Sequence, residues 1–412
     1  MKELFKNIIV GRQEWLKNLI PQERKIVIEK EMNYAFTGLR RAGKSFYLYQ
    51  IIHDLYQKNL EKILFINFED ERLLEVTHND LHLIIEAYKE LFDHKPIIFF
   101  DEIQNINNWQ KFVRRLSDEG YRIYITGSNA EMLSYEIATI LGGRFINKEI
   151  LPLSFQEYLE FNDITLSKRA FYSDEKYKIK KAFDSYLTLG GFPELLKLER
   201  KHDFLSSVYQ KLFYGDLIAR YKVSNVTTLR LLVKKIAESV NNETSVNRIK
   251  NLIKSTGANI GSNTLFEYLS HLEQSYLVGT ISNFHSKFTE KETNKKYYFL
   301  DNGILGLFLT NQNTKLLENL IYIELRRRGL NIYFLKKNVE IDFYVPEKNL
   351  LIQSSYSILD PETKIRETKA LKKGMNEFKI NEGYIITFDE EGEIKTDEGT
   401  IYVIPAWKWL LT

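Results

Sequence analysis

Short apolar runs bounded by turn residues alternate with helix-period stretches over the first 150 residues. Strands are expected near 33–37, 62–68, 96–101, 121–127 and 145–151, and helices over 44–59, 80–93, 108–119 and 130–141. Runs such as Ile97-Ile98-Phe99-Phe100 are apolar without a break, as in strands buried on both faces of a parallel sheet flanked by helices. The alternation stops at Leu151-Pro152-Leu153, and Ser154-Phe155-Gln156-Glu157 then matches a capping box that opens a helix. Residues 153–227 read as a helical lid or connector, interrupted at Gly190-Gly191-Phe192-Pro193. Residues 228–300 read as three helices near 228–241, 246–255 and 262–275, then strands near 276–284 and 296–300, the order of a winged helix. The tail, 301–412, returns to mixed α/β character, with a helix near 318–325 and strands near 340–345, 350–353, 384–388 and 400–404.

Chemistry enters at the first strand. Gly38-Leu39-Arg40-Arg41-Ala42-Gly43-Lys44-Ser45 fits G-x-x-x-x-G-K-[ST] and stands between a strand and a helix beginning with Lys44-Ser45-Phe46. Such a loop and helix start point backbone N–H groups into a cradle for phosphate oxygens. Lys44 is expected on the β- and γ-phosphates of ATP, and the Ser45 hydroxyl on Mg2+. Asp101 and Glu102 end the third strand, where Asp101 suits the metal and Glu102 the polarisation of an attacking water. Ser128 and Asn129, after the fourth strand, are candidates for sensing the γ-phosphate or for capping a helix. Arg144 is a candidate arginine finger, acting between or within subunits, with an ordinary surface role as the alternative. In the third module, Asn263, Glu267, Tyr268 and His271 are the outward positions of the expected recognition helix, and Lys287, Lys291, Lys295 and Lys296 fall on the wing.

Composition narrows the class. The chain has 412 residues, enough for about three domains with their own cores. It has no cysteine, which excludes disulfides, thiolate zinc sites and cysteine nucleophiles. No apolar run approaches the ~20 residues that cross a bilayer, and the start lacks a secretory core, so a cytoplasmic protein without membrane attachment is expected. A net charge of +3 does not by itself imply nucleic acid. The run Lys176, Lys178, Lys180 and Lys181 suits a solvated helix face.

Together with Leu151–Phe155, Gly190–Glu194, Asp216, Arg220, 298–303, 340–343 and 405–410, these motifs make the sequence resemble bacterial and archaeal AAA-type ATPases that carry a C-terminal restriction-endonuclease-like domain. The resemblance implies a P-loop NTPase domain over 1–152, a lid over 153–227, a winged-helix-like module over 228–300 and an endonuclease-like domain over 301–412. It also implies magnesium-dependent ATP hydrolysis, homo-oligomerisation and a link to DNA. An ATP-gated scaffold with a protein partner and an ATP-controlled nuclease remain alternatives. The nuclease reading meets a departure from the pattern. Glu318 and Asp342 fit the first two acidic positions, but Gln353-Ser354-Ser355 puts serine where a lysine is expected. Lys364 and Lys369 are the nearest substitutes, and without one the site is a relic that does not cut DNA. Arg326-Arg327-Arg328 and Lys336-Lys337 are then the expected docking surface of this domain.

Overall fold

A computed structural model describes residues 1–25, 27–128, 141–167, 169–310, 312–337 and 339–412. The chain divides into two compact units, one of residues 1–151 with 274–276, the other of residues 152–273 with 277–412.

In the first unit, helix α1 (Lys2–Lys17) is followed by β1 (Asn33–Thr37), α2 (Lys44–Tyr56), β2 (Ile63–Asn67), α3 (His82–Leu91), β3 (Ile97–Asp101), α4 (Trp109–Asp118), β4 (Arg122–Gly127) and β5 (Phe145–Glu149). All strand pairs are parallel, in the order β2-β3-β4-β1-β5. The strands agree with the sequence pattern to within two residues at each end. Helix α1 is an addition that the pattern did not lead us to expect. Its Phe5, Ile8 and Ile9 recur at helical spacing and join the core, while Lys2 and Lys6 pair with Glu86 and Glu90 of α3. The helix expected over 130–141 lies outside the described residues, apart from Leu141.

This strand order places the chemistry. β4 lies between β1 and β3, so the end of β1, which opens the glycine loop, and the acidic end of β3 flank one strand whose own end carries Thr126 and Ser128. Ligands of open α/β sheets bind at such a crossover, beyond the carboxyl ends of the strands.

The second unit begins with the expected capping box. Glu157 N–H donates to Ser154 Oγ at 3.1 Å, and Ser154 N–H donates to Glu157 Oε2 at 2.8 Å. Helices Phe155–Phe161, Glu175–Leu189 and Lys201–Lys211 follow, the last running into a π-helical stretch, Leu212–Ala219. Helices Val226–Ser239, Val246–Ser255 and Ser262–Gln274 then lead to the hairpin of β7 (Val278–Asn283) and β8 (Asn294–Phe299), with the two-residue β6 (Thr244–Ser245) beside β8. The hairpin is not a detached wing. β7 also pairs in parallel with β9 (Tyr333–Lys336). Beyond it come β10 (Glu340–Val345), β11 (Leu350–Ser354), β12 (Glu382–Thr387), β14 (Gly399–Pro405) and, at the edge, β13 (Gly392–Thr396). One sheet of nine strands among the described residues therefore spans the two regions that the sequence suggested as separate modules. Two side chains also depart from their expected exposure. Tyr268 is buried, and Lys296 points inward with no exposed surface.

Candidate functional site

The loop after β1 owes its shape to backbone angles that few residues adopt. Gly38 has φ +138°, and a Cβ there would sit 2.2 Å from the Ile150 carbonyl oxygen, so only glycine lets the loop pass β5 this closely. Arg41 at φ 63° and Gly43 at φ 97° turn the chain into α2. Leu39 and Ala42 are buried beneath the loop, and the Leu39 carbonyl accepts the Ala42 N–H at 3.1 Å. Arg40 pairs with Glu69 just beyond β2, and Arg41 is exposed. Phe46 on α2 is half-exposed and edge-on to Tyr49 at 5.6 Å.

Lys44 is buried, with its Nζ 3.2 Å from the Gly38 and Leu39 carbonyl oxygens and 3.8 Å from Glu102 Oε1. Asp101 accepts hydrogen bonds from the Thr126 and Ser45 hydroxyls, so the two residues expected to hold the metal are brought together. Burial, and next the Glu102 charge, push the Asp101 carboxyl above the usual carboxylate range, against the pull of Thr126, Ser45 and Lys44. A buried carboxylate with that much uncompensated charge, beside a hydroxyl, fits a magnesium ion.

Glu102 sits in the left-handed region, φ 51° and ψ 44°, which costs a non-glycine residue of order 1–3 kcal/mol. The Thr126 hydroxyl holds it there by accepting the Glu102 N–H at 2.9 Å while donating to Asp101 Oδ1 at 2.5 Å. The Gln104 amide donates to Glu102 Oε2 and, at 3.4 Å, to Ser128 Oγ.

Two expected residues do not join this cluster. Asn129 lies outside the described residues. Arg144 precedes β5, whose first residue is level with Asn33 at the start of β1, so it stands about 16 Å of strand away from the phosphate loop. There it pairs with Asp118 at the end of α4, Nε to Oδ1 at 2.6 Å.

Three residues that sequence reasoning missed support the site: Thr126, Gln104 and Arg24. The buried Arg24 guanidinium donates to the Ala42 carbonyl in the loop at 2.9 Å and to the Leu151 carbonyl at 3.1 Å. Gln50 of α2 clamps the Arg24 backbone through both its amide atoms. Arg24 lies in an irregular segment without a periodic signal, and only the folded loop gives it a partner.

The second unit holds another polar cluster. Lys296 of β8 donates to Glu318 Oε1 at 3.2 Å and to Asp342 Oδ1 at 3.0 Å, and Tyr298 O–H donates to Glu318 at 2.7 Å. Burial alone would lower the lysine pKa, but Glu318 and Asp342 together raise it. The Ser355 hydroxyl donates to the Ser357 carbonyl at 2.9 Å; Lys369 lines the cavity that Glu318 and Asp342 also line, and the ammonium hydrogen-bonded to those carboxylates is that of Lys296. Among the described residues no group of three His, Cys, Asp or Glu side chains is arranged to hold a metal. The arginines expected to form a docking surface are engaged within this unit. Arg326 reaches Tyr322 O–H, Arg327 reaches the Pro152 carbonyl and Glu324, and Arg328 reaches Glu324 and the Trp409 carbonyl. Lys336 is paired with Glu243. No described helix is long and apolar enough to cross a membrane.

Comparison with known proteins gives an AAA domain over the residues that hold this first cluster. Residues 30–159 match the family model of an AAA domain, and residues 180–315 match a domain of unknown function (DUF8612). Among solved structures, the Walker-type ATPase PABY2304 of Pyrococcus abyssi aligns with a TM-score of 0.45 at 16% identity, over 71% of this chain and 99% of that one. Cdc6p from Pyrobaculum aerophilum aligns with a TM-score of 0.28 at 13% identity, over 77% and 93%. An uncharacterized Haemophilus influenzae protein is 29% identical over 98% of this chain and 99% of its own length. The uncharacterized protein MJ1544 of Methanocaldococcus jannaschii is 36% identical over 100% of this chain and 96% of its own. With an AAA domain built on a phosphate loop and a relative that close over its whole length, the chain belongs to the family of MJ1544.

Proposed function

We propose that the first unit hydrolyses ATP and that the protein converts nucleotide state into conformational change. The observation that carries this reading is the convergence of Lys44, Ser45, Asp101 and Glu102 at one sheet edge, with a single Thr126 hydroxyl tying the two acidic residues together. Magnesium, held by Ser45 and Asp101, would offset charge on the transferring phosphoryl group. The loop N–H groups and the start of α2 cradle the phosphates, and Lys44 exchanges the Gly38 and Leu39 carbonyls for phosphate oxygens. Glu102, fixed in its left-handed conformation, orients the water and accepts its proton. Arg144 takes no part within its own chain in this reading.

The test compares Lys44→Ala with Glu102→Gln. Lys44→Ala should lose nucleotide binding. Glu102→Gln should keep it while turnover falls by about two orders of magnitude or more. Equal turnover in Glu102→Gln and wild type would remove Glu102 from the mechanism.

DNA as the trigger is the finer part of the proposal, and a winged-helix-like order of helices and hairpin is what supports it. Turnover measured with and without duplex and single-stranded DNA separates it from an ATP-gated scaffold, which would show no stimulation. We also propose that the chain does not cut DNA, because Glu318 and Asp342 are already bound to an ammonium.

A further inference from the structure

The cluster around Glu318 is assembled like a cation site and carries a lysine at its centre. Glu318 comes from helix Asn313–Arg327 and Asp342 from β10, and both aim an oxygen at the same Nζ, at 3.2 and 3.0 Å. The other Asp342 oxygen accepts the Ser354 N–H at 3.0 Å, and the Asp342 N–H donates to Gln353 Oε1 at 2.8 Å. The Gln353 amide in turn donates to Glu367 at 2.6 Å, so the aspartate is held in place through its backbone and its side chain.

Two further observations concern what the site could accept. Glu318, Asp342 and Ser354 line a cavity of about 540 Å3, so ions have a way in. Glu340, Glu367, Arg366, Lys369 and Lys373 share its wall, and among the described residues Lys296 is the cation hydrogen-bonded to both Glu318 and Asp342. The Ser354 hydroxyl, on a residue only 8% exposed, lines the same cavity and has no hydrogen-bond partner. Carboxylate and hydroxyl oxygens around one point are the ligands of hard divalent cations, which bind at ~2.0–2.6 Å. The carboxylates would need to close on such an ion by less than about 1 Å each. Charge is the obstacle. A dication between these oxygens would meet an ammonium held at the same place, 3.2 and 3.0 Å from the two carboxylates.

We infer that Lys296 is a built-in cation standing where a divalent metal would bind between Glu318 and Asp342, and that removing its charge turns the pair, with Ser354 Oγ, into a metal site. The cavity is closed to metal by charge and not by access. A lysine serving only to neutralise two carboxylates in a packed interior would leave no such latent site when replaced.

Mn2+ is the probe, followed by the loss of its free-ion EPR signal on nucleotide-free, full-length protein. Wild type should retain no Mn2+ in a manner that depends on Asp342. Lys296→Met should bind one ion at least about tenfold more tightly than wild type, and adding Asp342→Asn should abolish the gain. Because losing Lys296 leaves two buried carboxylates without a counter-ion, the variant should melt earlier than wild type and recover with Mn2+. Lys296→Gln, which keeps a donor without the charge, should behave in the same way. Asp342-dependent Mn2+ retention by wild type would overturn the inference, since metal and lysine would then coexist. So would a folded Lys296→Met or Lys296→Gln that binds no more Mn2+ than wild type. If neither variant folds alone, refolding Lys296→Met in the presence of Mn2+ decides: recovery that Asp342→Asn removes supports the inference, and no recovery overturns it.

Discussion

Thr126 concentrates two tasks in one hydroxyl. It accepts from the Glu102 backbone and donates to the Asp101 side chain, so its loss leaves a buried N–H unpaired and frees a strained residue to relax. Thr126→Val should therefore lower kcat by about tenfold to a hundredfold while nucleotide affinity changes little. Thr126→Ser should restore most of the rate, and a steady-state comparison of the two variants checks the assignment. Arg144 is the opposite case. Bound to Asp118 at the amino end of the sheet, it should tolerate Arg144→Ala with turnover within about twofold of wild type; a loss beyond tenfold would call for a partner chain. The glycine loop and the adjacent carboxylates were legible because their chemistry is written in consecutive residues. Thr126, Gln104, Arg24 and Lys296 were not, because each finds its partner through strand neighbours or loop closure that no local spacing encodes. Lys296 looked like one more wing cation until the folded unit brought its Nζ within 3.0 Å of Asp342.

At the scale of elements, the turn at Gly190 shows why a breaker cluster marked on sequence grounds became a structural joint. Asp301 accepts N–H groups from Gly191 at 2.9 Å and from Gly303 at 2.8 Å, tying the end of helix Glu175–Leu189 to the helix that begins at Asn302. Gly190, at φ 76° and ψ −165°, occupies a region nearly reserved for glycine, and a Cβ would lie 2.2 Å from Asp301 Oδ1. Gly190→Ala should destabilise the second unit by about 2–4 kcal/mol, read as a fall in its melting temperature without a change in nucleotide affinity. Strands were read more accurately than helices in the first unit. A buried parallel strand is apolar at every position, whereas α1 mixes its core residues Phe5, Ile8 and Ile9 with Val10 and Gly11 and gives a weaker periodic signal.

Across the whole molecule, the two units should melt as separate cooperative blocks, with ATP and magnesium raising only the transition of residues 1–151. A calorimetric trace in which nucleotide shifts both transitions equally would contradict this. The nine-stranded sheet has a further consequence, for how such a protein can be rearranged by gene fusion. A chain ending at residue 300 looks like a complete ATPase with a winged module, yet it would leave β7 without β9 and strip Lys296 of both Glu318 and Asp342. Such a product should sediment as aggregate, with an unpaired strand edge and a buried lysine lacking both of its counter-ions. The last hundred residues are therefore not a cassette that recombination can detach or exchange at the obvious seam.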